Sequence, residues 1–527
     1  MKPEHEKYLV SFDTDRIKDY IYATNSLKEI RGASAILVEV EDERLKDVKS
    51  EKQFNLKDDD VAFAAGGSGG FLVEEREQAD QMAQWIESEF RKNTVSGSIT
   101  AVIVEPNGGQ GEGWFKARMA TARQKMQRAK AIKAQLASVP LEPYMRPCMS
   151  CGVLPAEIRD KDEGELICEA CANKRNKGRD ERGYRKKFKK YVSTLDAAKK
   201  AIWQNTDLAP DLNQLAELDG GNYIGFLSMD GNSMGQILEN IERRQDYRNY
   251  SDALRNTVEK IVFGALIEQC RPINGYWPFE IVLIGGDDLA LFVKAEYAMP
   301  VALKIMHQFE ENSDDILKQA GKNLPKEREK LSMSASVVFA HGNFPIPALV
   351  DIGEALLKRA KKHADDWRNQ FSEKERVGQA FSAIDFQVIS GGMAQVDEDE
   401  SQVRYERPFK LREMDDLWDF VQNAKMPTSP MQRVYDTCLN GERGEGTMAT
   451  LQMIGRLRDS TQQQELKKLF NQFTKPIIES QREDKNAYKF WPWTNIDQEG
   501  HYRTIFIDLV ELLKFSKNNH EEKRDHE

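Results

Sequence analysis

One pattern occurs twice in this chain, and a duplicated pattern limits the fold more than any single motif. "YLVSFDTDRIKDYI" (8–21) is a strand-length apolar run ending in Asp13, followed by a helix-like stretch. "VAFAAGGSGGFLVEE" (61–75) then reads as a hairpin with glycines at its tip. "YIGFLSMDGNSMGQIL" (223–238) repeats the strand, the acid (Asp230) and the helix, and "FEIVLIGGDDLALFVKA" (279–295) repeats the hairpin. Asp13 precedes Asp230 by 217 residues and Ser68 precedes Asp287 by 219, so both copies keep nearly the same internal spacing. After each hairpin come a helical stretch, another strand ("SITAVIVE", "LSMSASVVFA") and a second helix ("WFKARMATARQKMQRAKAIKAQ", "PALVDIGEALLKRAKKHADDW"). Strand, helix, hairpin, helix, strand predicts an α+β fold: an antiparallel sheet covered by helices, as in a ferredoxin-like palm. Here it is expected twice.

The two hairpins differ in their chemistry. Gly285-Gly286-Asp287-Asp288 puts two adjacent carboxylates at a tight turn. A single acid there is an ordinary turn residue, and a solvated turn is the plain alternative. Two side by side repel unless a cation is present, and they offer hard-oxygen ligands for Mg²⁺ or Mn²⁺. A palm sheet sets the end of its first strand beside the hairpin tip, so Asp230 is expected next to Asp287 and Asp288. Three converging carboxylates suit two-metal nucleotidyl transfer, with two cations per site neutralising a triphosphate and activating a hydroxyl. In the first copy Ser68 and Gly69 are expected where Asp287 and Asp288 stand, which leaves Asp13 without partners for a metal.

Between the copies, "CMSC" holds Cys148 and Cys151, and "CEAC" holds Cys168 and Cys171. Two C-x2-C pairs around a short loop bring four thiolates together for a closed, structural Zn²⁺. Two disulfides are the alternative, and a reducing compartment disfavours them. Cys270 and Cys438 stand alone and read as core residues. The basic run "NKRNKGRDERGYRKKFKK" (173–190) has ten Lys or Arg against two acids. It reads first as a solvated helix or linker, with RNA contact the second reading. The net charge of −10 confines any nucleic-acid surface to such a patch. The longest apolar runs are strand-sized and the start "MKPEHEKYLVSFD" has no signal-peptide core, so a cytoplasmic protein off the membrane is expected.

These residues together resemble the large two-palm subunit of type III CRISPR effector complexes, the polymerase–cyclase. "DTDRIKDYIYATNSLKEIRGASAIL" resembles the opening of the family's first palm, and the four-cysteine element follows it. "MDGNSMGQIL", "IGGDDLALF" and "SMSASVVFAHGNFPIPALVDIGEALLKRAK" resemble the second palm. The resemblance implies synthesis of cyclic or linear oligoadenylate messengers from ATP, switched on by target RNA paired to a guide RNA in a complex with other subunits. It implies metal ligation by Asp230 and Asp287, with Asp288 completing the site or meeting the attacking hydroxyl. It also implies nucleotide contacts at Gly285, Gly286, Gly231 and Ser233, at Lys361 or Lys358 for a triphosphate, and at Gly66, Gly67 and Ser34 in the first palm. His341 reads as a nucleotide contact or a structural residue.

The sequence departs from the family in two places. No His-Asp dipeptide occurs, so the metal nuclease of many relatives is not expected, nor is cleavage of single-stranded DNA. Asn343 stands where many relatives carry a basic residue. The implied organisation is a first palm (1–145), a zinc element (146–175), a basic helical linker (176–220), a second palm (221–395) and a C-terminal helical domain (396–527). In the last of these Trp491 and Trp493 read as core. Two other functions compete: a non-catalytic ribonucleoprotein scaffold, and a free-standing cyclase of the GGDEF type that needs no RNA.

Overall fold

The computed structural model describes residues 2–40, 54, 56–65, 67–106, 113–136, 145–161, 164–180, 182–218, 221–321, 328–389, 404–423, 426, 428–457, 460–473, 493–495 and 502–516. The first copy of the pattern folds as β1 (Tyr8–Asp15), β2 (Val61–Ala65), β3 (Ser68–Val73) and β4 (Ser98–Val104). Their order is β2-β3-β1-β4 and every pair is antiparallel. Helices α1 (Ile17–Ile21), α2 (Leu27–Glu39), α3 (Arg76–Thr94) and α4 (Trp114–Leu136) accompany the sheet. In α3 the buried residues Ala79, Met82, Ile86 and Phe90 recur every three or four positions, one apolar stripe laid on the strands.

The cysteine-bearing segment continues into α5 (Glu169–Arg179), and the basic run into α6 (Gly183–Ser193). Helix α5 crosses α2 at very short range. A Cβ on Gly32 would lie 1.8 Å from the Lys174 carbonyl oxygen, and one on Gly178 would lie 2.0 Å from that of Lys28. Gly32→Ala is therefore expected to force the helices apart and destabilise the protein by about 1–3 kcal/mol. An unchanged unfolding midpoint would contradict so close a crossing.

The second copy folds as β5 (Tyr223–Gly231), β6 (Phe279–Gly285), β7 (Asp288–Lys294), β8 (Met333–His341), β9 (Ala383–Val388) and β10 (Phe409–Lys410). The order β6-β7-β5-β8 repeats that of the first sheet, and β9 and β10 extend it. Strand β9 runs parallel to β8, because the chain between them crosses over through α10 (Ile346–Arg368). Helices α7 (Met234–Asn240), α8 (Arg244–Gln269) and α9 (Ala295–Glu311) come between the strands as the pattern requires. Beyond β10 the described elements are mainly helical. Trp493 is buried there and donates to the Thr447 hydroxyl at 3.0 Å, a core role; Trp491 lies outside the described residues. Cys270 and Cys438 are buried, as expected of core residues.

The palms face one another across a seam of specific contacts. Arg31 of α2 donates to Glu280 of β6 at 2.5 and 3.0 Å, a pair almost fully removed from water. Asn25 accepts from the amide of Ile346 at 3.0 Å, satisfying a donor at the start of α10. Tyr22 packs edge-on against Phe226. Strand β6 carries a bulge between Ile281 and Leu283. Two residues past the bulged Val282 the strand is held from outside the sheet: Tyr184 of α6 donates to the Ile284 carbonyl and accepts from the Ile284 amide, both at 2.9 Å. Among the described residues no helix is long and apolar enough to cross a membrane.

Candidate active site between the palms

Strand β5 ends in Asp230-Gly231, and the loop after it is held rigidly. Asn232 accepts from Ser334 Oγ at 2.9 Å and donates to the Phe381 carbonyl at 2.9 Å; its amide bonds Ser332 at 2.8 Å. Ser233 then takes the left-handed conformation (φ 57°) and opens α7. Gly231 is required by space. A Cβ there would meet Asp287 Oδ2 at 2.9 Å and Met234 Cγ at 2.5 Å. Its absence lets the hairpin tip close over the end of β5.

In the hairpin, Gly285 pairs with Asp288, so Gly286 (φ 86°) and Asp287 form a two-residue tip. Strand β7 pairs with β5 from Leu289 and Met229 onward, which sets Asp288 beside Asp230. The strand order brings the three acids to one end of the sheet, where Asp230 repels both Asp287 and Asp288. Burial first, then repulsion from Asp230, pushes Asp287 up to about 7. Burial likewise pushes Asp288 up to about 6, against the attraction of Lys18.

Two lysines face this set from opposite palms. Lys361 of α10 bonds Asp230 directly. Lys18 of α1 places Nζ 3.7 Å from Asp288 Oδ1 and 3.3 Å from Glu354 Oε1. Asp288 Oδ1 is buried and has no hydrogen-bond partner. Three mutually repelling carboxylates, an orphan oxygen and ammonium groups drawn in as countercharges are the donor chemistry of a divalent cation site, though among the described residues only the four cysteines already have their ligand atoms drawn together. The expected triphosphate role of Lys361 therefore starts from an ion pair with Asp230, while Lys358 is exposed.

The first palm shows what has been lost, and it corrects the alignment of the hairpins. Ala65 pairs with Ser68, and Ser68 with Asp13. By register Gly67 and Ser68, rather than Ser68 and Gly69, stand where Asp287 and Asp288 stand. A "GGSGG" run has too few side chains to fix register from sequence. Nor is Asp13 unpartnered: Lys130 of α4 donates to it at 2.7 Å. The same ammonium also lies 3.3 Å from Asp15. Gly67 adopts φ 78° at this tip, and Gly66 lies outside the described residues.

Other expected residues fall elsewhere. Ser34, expected at a nucleotide, is 4% exposed and donates to the Val282 carbonyl at 2.6 Å, inside the β6 bulge. Its hydroxyl is spent on the palm seam. His341 pairs with Tyr223 while Ser334 of the same strand pairs with Asp230. Seven residues of strand, about 23 Å, separate it from the acids, so it and Asn343 belong to the far end of the sheet. The basic run is committed largely to internal ion pairs. Arg175 bonds Glu29 and Glu165, Lys177 and Arg182 hold Glu39, Arg185 bonds Asp207, and Lys187 reaches Glu259. It stitches the two palms together; Lys186 and Lys190 are exposed. Lys18, Tyr22 and Glu354 were not foreseen, because nothing local in "DRIKDYIY" says that it faces another palm.

The four cysteines converge. Their sulfurs lie within 4.8 Å of one another, with Cys151 and Cys168 at 3.9 Å. Tetrahedral Zn–S bonds of ~2.3 Å put sulfurs ~3.8 Å apart, so the set fits zinc. Backbone amides of Cys168 and Cys171 donate to the sulfurs of Cys148 and Cys168.

A family model described as "Cas10/Cmr2, second palm domain" matches residues 223–372, the segment from β5 through α10. No curated protein matches the chain. Among solved structures, a Csm1–Csm4 cassette in complex with pppApApA aligns with TM-score 0.54 and 13% identity, over 98% of this chain and 70% of that one. A Csm1–Csm4 cassette in complex with AMPPNP gives 0.52 and 14%, over 97% and 69%. Csm1 of T. onnurineus gives 0.50 and 14%, over 86% and 64%. The chain spans 53% to 70% of the length of such matches, and at these identities the likeness is one of fold. Residues 223–372 thus match the model of a Cas10/Cmr2 second palm domain, and the chain that carries them shares its fold with the Csm1 chains of these structures.

Proposed function

We propose that this chain is the nucleotide-polymerising subunit of a type III CRISPR complex, joining ATP into cyclic oligoadenylate or related adenylylated messengers when target RNA pairs with a guide RNA. The observation that carries the reading is the asymmetry of the palms: three mutually repelling acids stand at the end of the second sheet, while in the first a single lysine, Lys130, is paired with Asp13 and Asp15. A scaffold has no use for buried carboxylates that repel one another. Proteins of similar fold are described with AMPPNP, with pppApA and with cA4 bound, which supports a nucleotide substrate.

In this reading Asp230, Asp287 and Asp288 hold two Mg²⁺ or Mn²⁺ ions, which supply charge neutralisation and hydroxyl activation when bound. The chain's own residues do the rest. The backbone at Gly285 and Gly286 lets a nucleotide approach the hairpin, and the left-handed turn at Ser233, after Gly231, aims amides at phosphate. Lys361, now paired with Asp230, would be the residue to meet a triphosphate. Cys148, Cys151, Cys168 and Cys171 hold zinc. The test is mass spectrometry of products formed from ATP with Mg²⁺ or Mn²⁺, with and without target RNA. RNA-dependent oligoadenylates support the proposal. RNA-independent synthesis favours a free-standing cyclase, and no product under any condition favours a scaffold.

A further inference from the structure

Among the ion pairs that cross the palm seam, the duplication relates two with their charges exchanged. Glu239 of α7 pairs with Arg123 of α4 at 2.8 Å. Lys18 of α1 pairs with Glu354 of α10 at 3.3 Å. In each, the first helix of one palm reaches the last long helix of the other. Lys130 and Lys361 mark equivalent places on those last helices, since each bonds the acid near the end of the first strand. Arg123 and Glu354 each lie seven residues earlier, two turns along the same face. The degenerate palm thus carries the cation on its last helix, and the second palm carries the acid. The exchange delivers a lysine to the rim of the second palm's acids, where Nζ also stands 3.7 Å from the orphaned Oδ1 of Asp288.

We infer that Lys18 is a positioning residue of the second palm's site, supplied by the first palm. It neutralises Asp288 while no cation is bound, and withdraws onto Glu354 when a divalent ion takes that oxygen. The geometry suits an ammonium that must leave. At 3.7 Å it is beyond a good hydrogen bond to Asp288, and Glu354, 46% exposed at its side chain, waits on the outer side. An ammonium and a divalent ion cannot share one carboxylate oxygen, because two cations in contact in a half-buried site repel strongly. Metal loading and the approach of α1 to the second palm are therefore linked. The inference rests on reading Asp230, Asp287 and Asp288 as metal ligands.

The test is Mn²⁺ affinity of the full chain, measured by electron paramagnetic resonance without nucleotide. Lys18→Gln is expected to bind Mn²⁺ on the order of tenfold more tightly, since one competing charge is gone. Lys18→Arg should restore the original affinity. Glu354→Gln should weaken binding several-fold, on the order of one lost charge interaction near the surface, because the displaced lysine loses its resting place. Arg123→Gln breaks the duplicated counterpart of this pair and should leave Mn²⁺ affinity unchanged. Unchanged or weaker binding in Lys18→Gln overturns the inference, as does a shift of equal size in Arg123→Gln. The opposite directions expected for Lys18 and Glu354 keep the test decisive even if one variant folds poorly. Failure of the cyclase reading is separable. Lys18-dependent Mn²⁺ binding in a chain that forms no product from ATP refutes the function alone, whereas product formation with Mn²⁺ affinity indifferent to Lys18 refutes this inference alone.

Discussion

Replacing both Asp287 and Asp288 by alanine is expected to lower nucleotide turnover at saturating ATP by at least ~10²-fold, the scale on which a main electrostatic stabiliser of a transition state acts. RNA binding should be unaffected. Asp13→Ala should cost far less, because by register Gly67 and Ser68 stand where the second palm has its hairpin carboxylates, and Lys130 already pairs with Asp13 and Asp15. Equal losses in the two palms would mean a shared site, and undiminished synthesis by the double variant would end the cyclase reading. The same substitution has a signature without substrate. Both acids are held above the ordinary carboxylate range, at about 7 and about 6, chiefly by burial. Between about pH 4 and pH 7 the folded metal-free protein therefore binds more protons than the unfolded chain, so its stability falls as pH rises through that window. The double variant should lose much of this slope, and at neutral pH should melt no lower than the parent. Divalent cation should reverse the slope in the parent alone. Thermal melts at pH 5 and pH 8, with and without Mn²⁺, measure all three effects.

The second large effect is expected at the cysteines. Cys148→Ser, or prolonged chelation, should remove about one zinc per chain and lower the melting midpoint by roughly 10 °C, since structural zinc is coupled to folding. The loss should extend beyond the cysteine element. Cys168 and Cys171 lie at the start of the helix that crosses α2 through Gly32 and Gly178. Arg175 on that helix is buried against Glu29 of α2. Protection from hydrogen exchange in α2 should therefore fall together with that of the zinc element. A folded chain that elemental analysis finds free of zinc, or loss confined to the cysteine loop, would refute this account.

Element order and the acid set were legible in the sequence because both rest on local rules. Period-two apolar runs, glycine at turns and carboxylates at strand ends are written in neighbouring residues. The duplication then supplied the long-range pairing that one copy could not, and it placed Asp230 with Asp287 and Asp288. What stayed hidden was whatever depended on the second partner. In "GGSGG" the register slipped by one residue because only the pairing of Ala65 with Ser68 fixes it. Ser34 looked available for a ligand until the bulge at Val282 claimed its hydroxyl. The ten basic residues of 173–190 looked like a charged surface, yet their acids lie up to 146 residues away in sequence, at Glu29, Glu39, Asp207 and Glu259. Lys18 carried no mark at all. Charges reveal their partners only after folding.

The phenol of Tyr184 makes the helix that carries it a mechanical part of the acid-bearing hairpin. One oxygen grips both the amide and the carbonyl of Ile284, the residue immediately before Gly285. The ring is buried on a helix that Lys187 and Arg185 tether to Glu259 and Asp207. A load applied to that helix cannot be absorbed by a slack loop. Either the two bonds part together, or the strand moves and carries the GGDD tip with it. Whatever docks on the outer face of that helix thus holds a lever whose short arm ends at the acids.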